Sequence, residues 1–198
     1  AYAKQNKLPH TQLKNKDEYT SIHCMNVCIL ALTFGRHLGL PEDALNVMAA
    51  GALLHDVGKI CVPLEVLNKP GKLTPEEFEI MKRHPVDGLE IVSRTPGIPA
   101  GAIDVVFSHH ERSSGHGYPR GLTSKEINLF TKIVAIVDVY DSVTSDRVYH
   151  NGMDIMQATK LLYEARNRYF DSGLIEQFIQ CLGAYPLGSR GELNSGEV

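Results

Sequence analysis

The chain has 198 residues, 43% hydrophobic and 22% charged, an ordinary globular mixture far from that of a disordered chain, and its length suits one domain or one and a fraction. With 20 basic and 23 acidic residues the formal net charge is -3, so there is no cationic excess to neutralise a phosphate backbone and long nucleic acid is excluded as a partner. The apolar runs around Val27 to Phe34 and Ile133 to Val139 fall short of the roughly 18 residues that a membrane span needs, so no membrane insertion is expected.

The chain opens Ala1-Tyr2-Ala3-Lys4, with no methionine and no apolar segment before a cleavage site, so no signal peptide is read and a piece of a longer protein is expected. Residues 1–17 are polar and carry four lysines without an apolar period. They read as a linker or N-terminal extension, and residues 18–198 as one domain. From Ser21 the positions Ile22, His23, Val27, Leu30, Phe34 and Leu38 follow helical steps, with His23 on the buried stripe and Gly35 and Gly39 at a fraying end. Pro41-Glu42-Asp43 suits a helix N-terminus. That helix is expected to turn Ala44, Met48, Gly51, Ala52 and His55 inward and to stop at Gly58.

Thr74-Pro75-Glu76-Glu77 spells a capping box, and the helix it opens is expected to end at His84, because Pro85 disfavours α geometry before it. A short helix is expected from Val86 to Arg94, another from Ala102 to His110, and a glycine-rich loop from Glu111 to Leu122. Phe130 to Thr144 is a long apolar run interrupted by Asp138 and Asp141; its length favours a helix, although its β-branched content also suits a strand. Asp154 to Tyr169 and Ser172 to Leu182 read as amphipathic helices, and Gly191 to Val198 as a small turn. The fold class is therefore all-α. The four cysteines follow no disulfide framework, which fits a reducing compartment, and Cys24 and Cys28, one helical turn apart, read as small core residues rather than as a chelate.

Nine histidines are unusual in number, and their placement matters more. His55-Asp56 ends a helix whose apolar face points inward, and an ionised aspartate buried beside an imidazole is costly unless a cation compensates. His109-His110 repeats the arrangement. With His23, His84 and Asp138 there are seven potential ligands on five helices, more than one tetrahedral ion takes, and mixed nitrogen and oxygen donors suit first-row metals such as iron or manganese. Two ions sharing Asp56 would clamp a phosphoryl centre and supply a bridging hydroxide at neutral pH. Asp141 reads as structural.

His55-Asp56-Val57-Gly58-Lys59, His84-Pro85-Val86-Asp87-Gly88, His109-His110-Glu111-Arg112, Gly117-Tyr118-Pro119 and Asp138-Val139-Tyr140-Asp141 together resemble the HD-GYP domain, a branch of the HD metal-dependent phosphohydrolases, over most of the chain from about Asp17. The resemblance implies an HD-type helical bundle with a buried metal site and a GYP loop. It implies a cytoplasmic bacterial signalling enzyme that hydrolyses a cyclic dinucleotide, chiefly cyclic di-GMP, to the linear product and sometimes onward to GMP. Carried over residue by residue, it assigns metal binding to His23, His55, Asp56, His84, His109, His110 and Asp138, the reacting phosphate to Lys59, and substrate contacts to Tyr118 and Arg147.

The sequence also departs from the family pattern. The aspartate that usually precedes the first glycine of the GYP loop is absent from Glu111-Arg112-Ser113-Ser114-Gly115. The glutamate that three-metal relatives carry one turn before the first histidine is Tyr19, so two divalent ions, iron or manganese, are expected. After Arg147 the common proline is Val148, and the phosphate-contacting base falls to His150. The expected reading is a phosphodiesterase in which a metal-bridging hydroxide attacks phosphorus. The alternatives are a hydrolase of mixed cyclic GMP-AMP and a catalytically weak or inactive module that binds a cyclic dinucleotide or a partner. Diguanylate cyclase domains, an N-terminal sensor or receiver domain and a second copy in a homodimer are the expected partners.

Overall fold

A computed structural model of the chain describes residues 10–145 and 152–183, with side chains from Thr20 onward. Arg147, Val148, His150 and the turn expected at Gly191 to Val198 lie outside the described residues, as does the side chain of Tyr19. The helices are α1 His10–His37, α2 Glu42–Leu54, α3 Leu64–Leu67, α4 Pro75–Met81, α5 His84–Ser93, α6 Ala100–Ser108, α7 Leu129–Thr144, α8 Ile155–Ala165 and α9 Ser172–Cys181, with a 3-10 turn at Val57–Cys61. Among the described residues there are no strands, only isolated bridges at Ser114–Thr123 and Arg166–Phe170. The run from Phe130 to Thr144 is helical, so its β-branched residues serve packing.

Side-chain oxygens start several of these helices by accepting an orphan backbone N–H. Asn128 accepts from Thr131 N at 2.8 Å, Asp154 from Gln157 N at 2.8 Å and Asp171 from Leu174 N at 3.2 Å. The capping box at Thr74 forms as expected: Thr74 Oγ1 accepts from Glu77 N at 3.3 Å and Glu77 Oε2 from Thr74 N at 2.7 Å.

Several boundaries differ from expectation, among them the end of α8 at Ala165, short of Tyr169. Helix α1 begins at His10 rather than near Ser21. Helix α2 stops at Leu54, not Gly58, and the chain tightens into the 3-10 turn; its buried residues are Leu45, Met48, Gly51 and Ala52, whereas Ala44 is only partly covered. His84 starts α5 instead of ending α4, because a proline in the first turn of a helix removes an N–H that has no intrahelical partner anyway.

Helix α7 is the centre of the bundle. Ile133, Val134, Ile136 and Val137 are wholly buried, so more than one of its faces is covered, as befits a core helix. It packs on α1, α6, α8 and α9, while α2 packs on α1 and α6. Phe34, Met48, Leu162, Ile175 and Phe178 fill the space between, with the Phe34 and Phe178 rings 5.1 Å apart. Because α7 is enclosed, Asp138 and Asp141 are carried into the interior, where α1, the end of α2, the start of α5 and the end of α6 converge. No helix of the described residues is long and apolar enough to cross a membrane.

Candidate metal centre

Three imidazoles are delivered by one local device. The ring Nδ1 of His55 donates to Ala52 O at 2.7 Å, that of His84 to Met81 O at 2.8 Å and that of His109 to Val106 O at 3.0 Å. Each carbonyl lies in the last turn of α2, α4 or α6, where carbonyls lack intrahelical donors. A carbonyl can only accept, so Nδ1 carries the proton and the Nε2 lone pair is left to face inward.

Those lone pairs meet other acceptors. His84 Nε2 and His109 Nε2 stand 3.2 Å apart. His55 Nε2 is buried without a hydrogen-bond partner, and lies 3.3 Å from Asp56 Oδ2 and 4.0 Å from Asp138 Oδ1. Acceptors packed against one another in a dry site repel, and a cation between them turns the arrangement attractive. The orphaned Nε2 and the facing pair thus fit a metal.

Asp56 divides the cluster in two. Its Oδ1 lies 3.4 Å from His84 Nε2 and 3.9 Å from His109 Nε2, while its Oδ2 lies 3.3 Å from His55 Nε2 and 3.9 Å from His23 Nε2. The ligand atoms of His84, His109 and His110 fall within 4.8 Å of one another, and so do those of His23, His55 and Asp138. Lys59, one turn on, donates to Asp56 Oδ2 at 2.5 Å.

The electrostatics follow the same division. Burial pushes His84 and His109 down, His109 further because His110 and His55 crowd it, and carries His110 down to about 3, so these rings present neutral lone pairs. Burial alone would also lower His23, but its hydrogen bonds to Asp138 and Asp141 carry it up to about 9. Burial opposes ionisation of Asp56 as well, yet His55 at 3.3 Å and the Lys59 ammonium beside it hold its carboxyl well below the usual range.

Beyond His110 the loop is tied back onto the site. Buried Glu111 accepts from Arg120 N at 2.7 Å and from Leu122 N at 2.8 Å. The Tyr118 ring stacks on His110 with centroids 4.7 Å apart, and burial pushes its hydroxyl pKa up, so it remains a donor. Gly117 passes so close to the chain before it that a Cβ there would lie 2.3 Å from Arg112 N. At the two serines, Ser113 N donates to Tyr169 O at 3.0 Å and Ser114 bridges to Thr123, so backbone bonds hold the segment.

All seven residues singled out as ligands come together, with Lys59 beside them and Tyr118 at the loop. Arg147 and His150 are outside the described residues. Three neighbours were underrated. Asp141 accepts from His23 Nδ1 at 2.6 Å and so orients that ring, a role its spacing of three from Asp138 hinted at. Glu111 anchors the loop through two backbone donors. Cys24, read as core, has its thiol grouped with His55 and Asp56.

The HD domain family model matches residues 5–174. A cyclic di-GMP phosphodiesterase of Pseudomonas aeruginosa is 40% identical over 94% of this chain and 45% of its own length. The cyclic di-GMP phosphodiesterase response regulator RpfG of Xanthomonas campestris is 38% identical over 85% of this chain and 45% of its own. The chain thus spans less than half the length of these relatives. Among solved structures, a protein of Bdellovibrio bacteriovorus described as an HDG"Y"P protein superposes with a TM-score of 0.69 at 25% identity, over 82% of this chain and 52% of that one. The chain belongs to the HD domain family, in its HD-GYP branch.

Proposed function

We propose that this chain is a metal-dependent phosphodiesterase that hydrolyses a cyclic dinucleotide, foremost cyclic di-GMP, to the linear dinucleotide. One observation carries the reading: the two oxygens of Asp56 face two separate sets of imidazole ligands, the arrangement that two ions sharing one carboxylate require. The names of its relatives support the substrate class. In this reading residues 18–198 form the catalytic domain and residues 1–17 a linker or N-terminal extension, from within which α1 starts at His10, in a cytoplasmic protein.

His23, His55, Asp56 and Asp138 would hold one divalent ion and His84, His109, His110 and Asp56 a second, and iron or manganese bound there would supply an activated water and neutralise phosphoryl oxygens. The chain's own residues do the rest. The Nδ1 bonds to backbone carbonyls and to Asp141 fix the rings, so little reorganisation is needed as charge develops. Lys59, still partly open to solvent, places its ammonium beside Asp56, where it can move onto a non-bridging phosphate oxygen. Tyr118 offers a ring for a base and a hydroxyl for a phosphate. Arg147 and His150 complete the phosphate contacts on the sequence pattern alone. Hydrolysis forms a bond from water oxygen to phosphorus and breaks the bond to the ribose 3′ oxygen, which leaves with a proton.

A second reading rests on Ser114, which stands where the family pattern has aspartate: a module that binds cyclic di-GMP, or a diguanylate cyclase partner, with little turnover. The experiment is anaerobic reconstitution with ferrous iron and with manganese separately, counting metal per chain while following linear product from cyclic di-GMP and from mixed cyclic GMP-AMP. Product with about two ions per chain, both lost when His55 and Asp56 are replaced by alanine, is the expected result. Bound metal and ligand without product favours the second reading, and turnover that survives the double replacement overturns the assignment.

A further inference from the structure

Helix α1 brings two cysteines toward the bundle one turn apart, and they end in different surroundings. Cys28 is buried among the core side chains. Cys24 is only partly buried, and its sulfur lies within 4.8 Å of both a ring nitrogen of His55 and a carboxylate oxygen of Asp56, the spread that donors around a single ion have. The independent sign that this corner faces a ligand is His55, whose buried Nε2 has no hydrogen-bond partner and which belongs both to this group and to the one with His23 and Asp138.

We propose that the Cys24 sulfur is a further ligand of the ion held by His55 and Asp56. The inference rests on the metal reading above and deepens it. On binding, the thiol gives its proton to solvent and its sulfur bonds to the metal, with no change of oxidation state. A thiolate adds a soft, negatively charged donor to a nitrogen and oxygen set, so this half of the centre favours iron or zinc over manganese, whereas the half made by His84, His109 and His110 has no sulfur.

Cobalt(II) is the probe, because thiolate ligation gives a near-ultraviolet charge-transfer band that nitrogen and oxygen ligands do not. The cobalt-loaded protein should show that band. Cys24→Ser should lose it while keeping the visible cobalt bands, and Cys28→Ser should keep both. In the unsubstituted protein, iodoacetamide should modify Cys24 after chelation but not with cobalt bound, while exposed Cys61 reacts in both states. Visible cobalt bands without the charge-transfer band, or a band that survives Cys24→Ser, overturn the proposal and leave the phosphodiesterase reading standing. Failure to take up cobalt at all, with no linear product from iron-loaded protein, overturns both.

Discussion

Gly58→Ala tests whether the site depends on how closely the 3-10 turn approaches the start of α5. A Cβ at residue 58 would lie 1.9 Å from His84 O and 2.5 Å from Gly88 N, about 1.5 Å inside a normal contact in the first case. Both neighbours are backbone, so no side chain can swing away and the two segments must part. Asp56 precedes the turn and His84 opens α5, so the separation acts directly on the 3.4 Å approach of Asp56 Oδ1 to His84 Nε2. His23 and Asp138 sit on other elements, and the His55 ring is anchored to Ala52 O in α2, so this set is disturbed less. Overpacking of this kind costs about 1–3 kcal/mol, which in a chain of this size lowers the melting temperature of the metal-free protein by about 2–4 °C per kcal/mol. A shift of about 1 Å in one ligand set lowers turnover by roughly 100-fold. The assay is metal content per chain after gel filtration, with turnover and metal-free thermal unfolding. The variant should keep the ion at His23, His55 and Asp138 and lose most of the one at His84, His109 and His110. Unchanged stoichiometry and turnover would falsify the view that this glycine sets the distance between Asp56 and His84.

Three other substitutions separate orientation, loop anchoring and simple stability. Asp141→Asn removes the charged acceptor 2.6 Å from His23 Nδ1 and should weaken metal binding about 10- to 100-fold in competition with a chelator; unchanged affinity would show that the ring needs no orienting carboxylate. Glu111→Gln puts an amide where one of two backbone donors expects an oxygen, at Arg120 N or Leu122 N. Losing such a charged hydrogen bond costs about 1.5–3 kcal/mol, so KM should rise with metal content unaltered, and a variant that loses metal instead would place Glu111 in the centre rather than the loop. Thr74→Ala breaks the capping box far from the cluster and should cost about 1 kcal/mol, a fall of about 2–4 °C in melting temperature, with turnover per bound metal unchanged.

The local half of this site was legible in the sequence. His55-Asp56 and His109-His110 follow apolar helical stretches, and a histidine at a helix end has a carbonyl within reach to fix its tautomer. His84 uses the same bond to Met81 O, yet the helix break near it was misplaced, since a proline can end one helix or sit in the first turn of the next. Asp141 shows what was harder to read. Its spacing from Asp138 puts both on one face of α7, but its partner His23 is 118 residues away in the chain, and only the packing of α1 on α7 joins them.

The two cysteines of α1 make the limit concrete. Four residues at about 100° each leave Cys24 and Cys28 roughly 40° apart around the helix and 6 Å apart along it, so an apolar periodicity places both on nearly the same stripe. What separates them is that the core surrounding Cys28 gives way, within that one turn, to the place where His55 and Asp56 enter from the end of α2. That boundary is set by the length of α2, which ends at Leu54 rather than running on to Gly58. Had the helix continued, His55 and Asp56 would have diverged along its surface. Because it tightens into a 3-10 turn, the His55 ring is held by Ala52 O and the Asp56 carboxylate turns between the two sets of imidazoles. The helix terminus, more than the composition of its apolar face, therefore gathers a cluster able to hold metal in an interior that would otherwise be core.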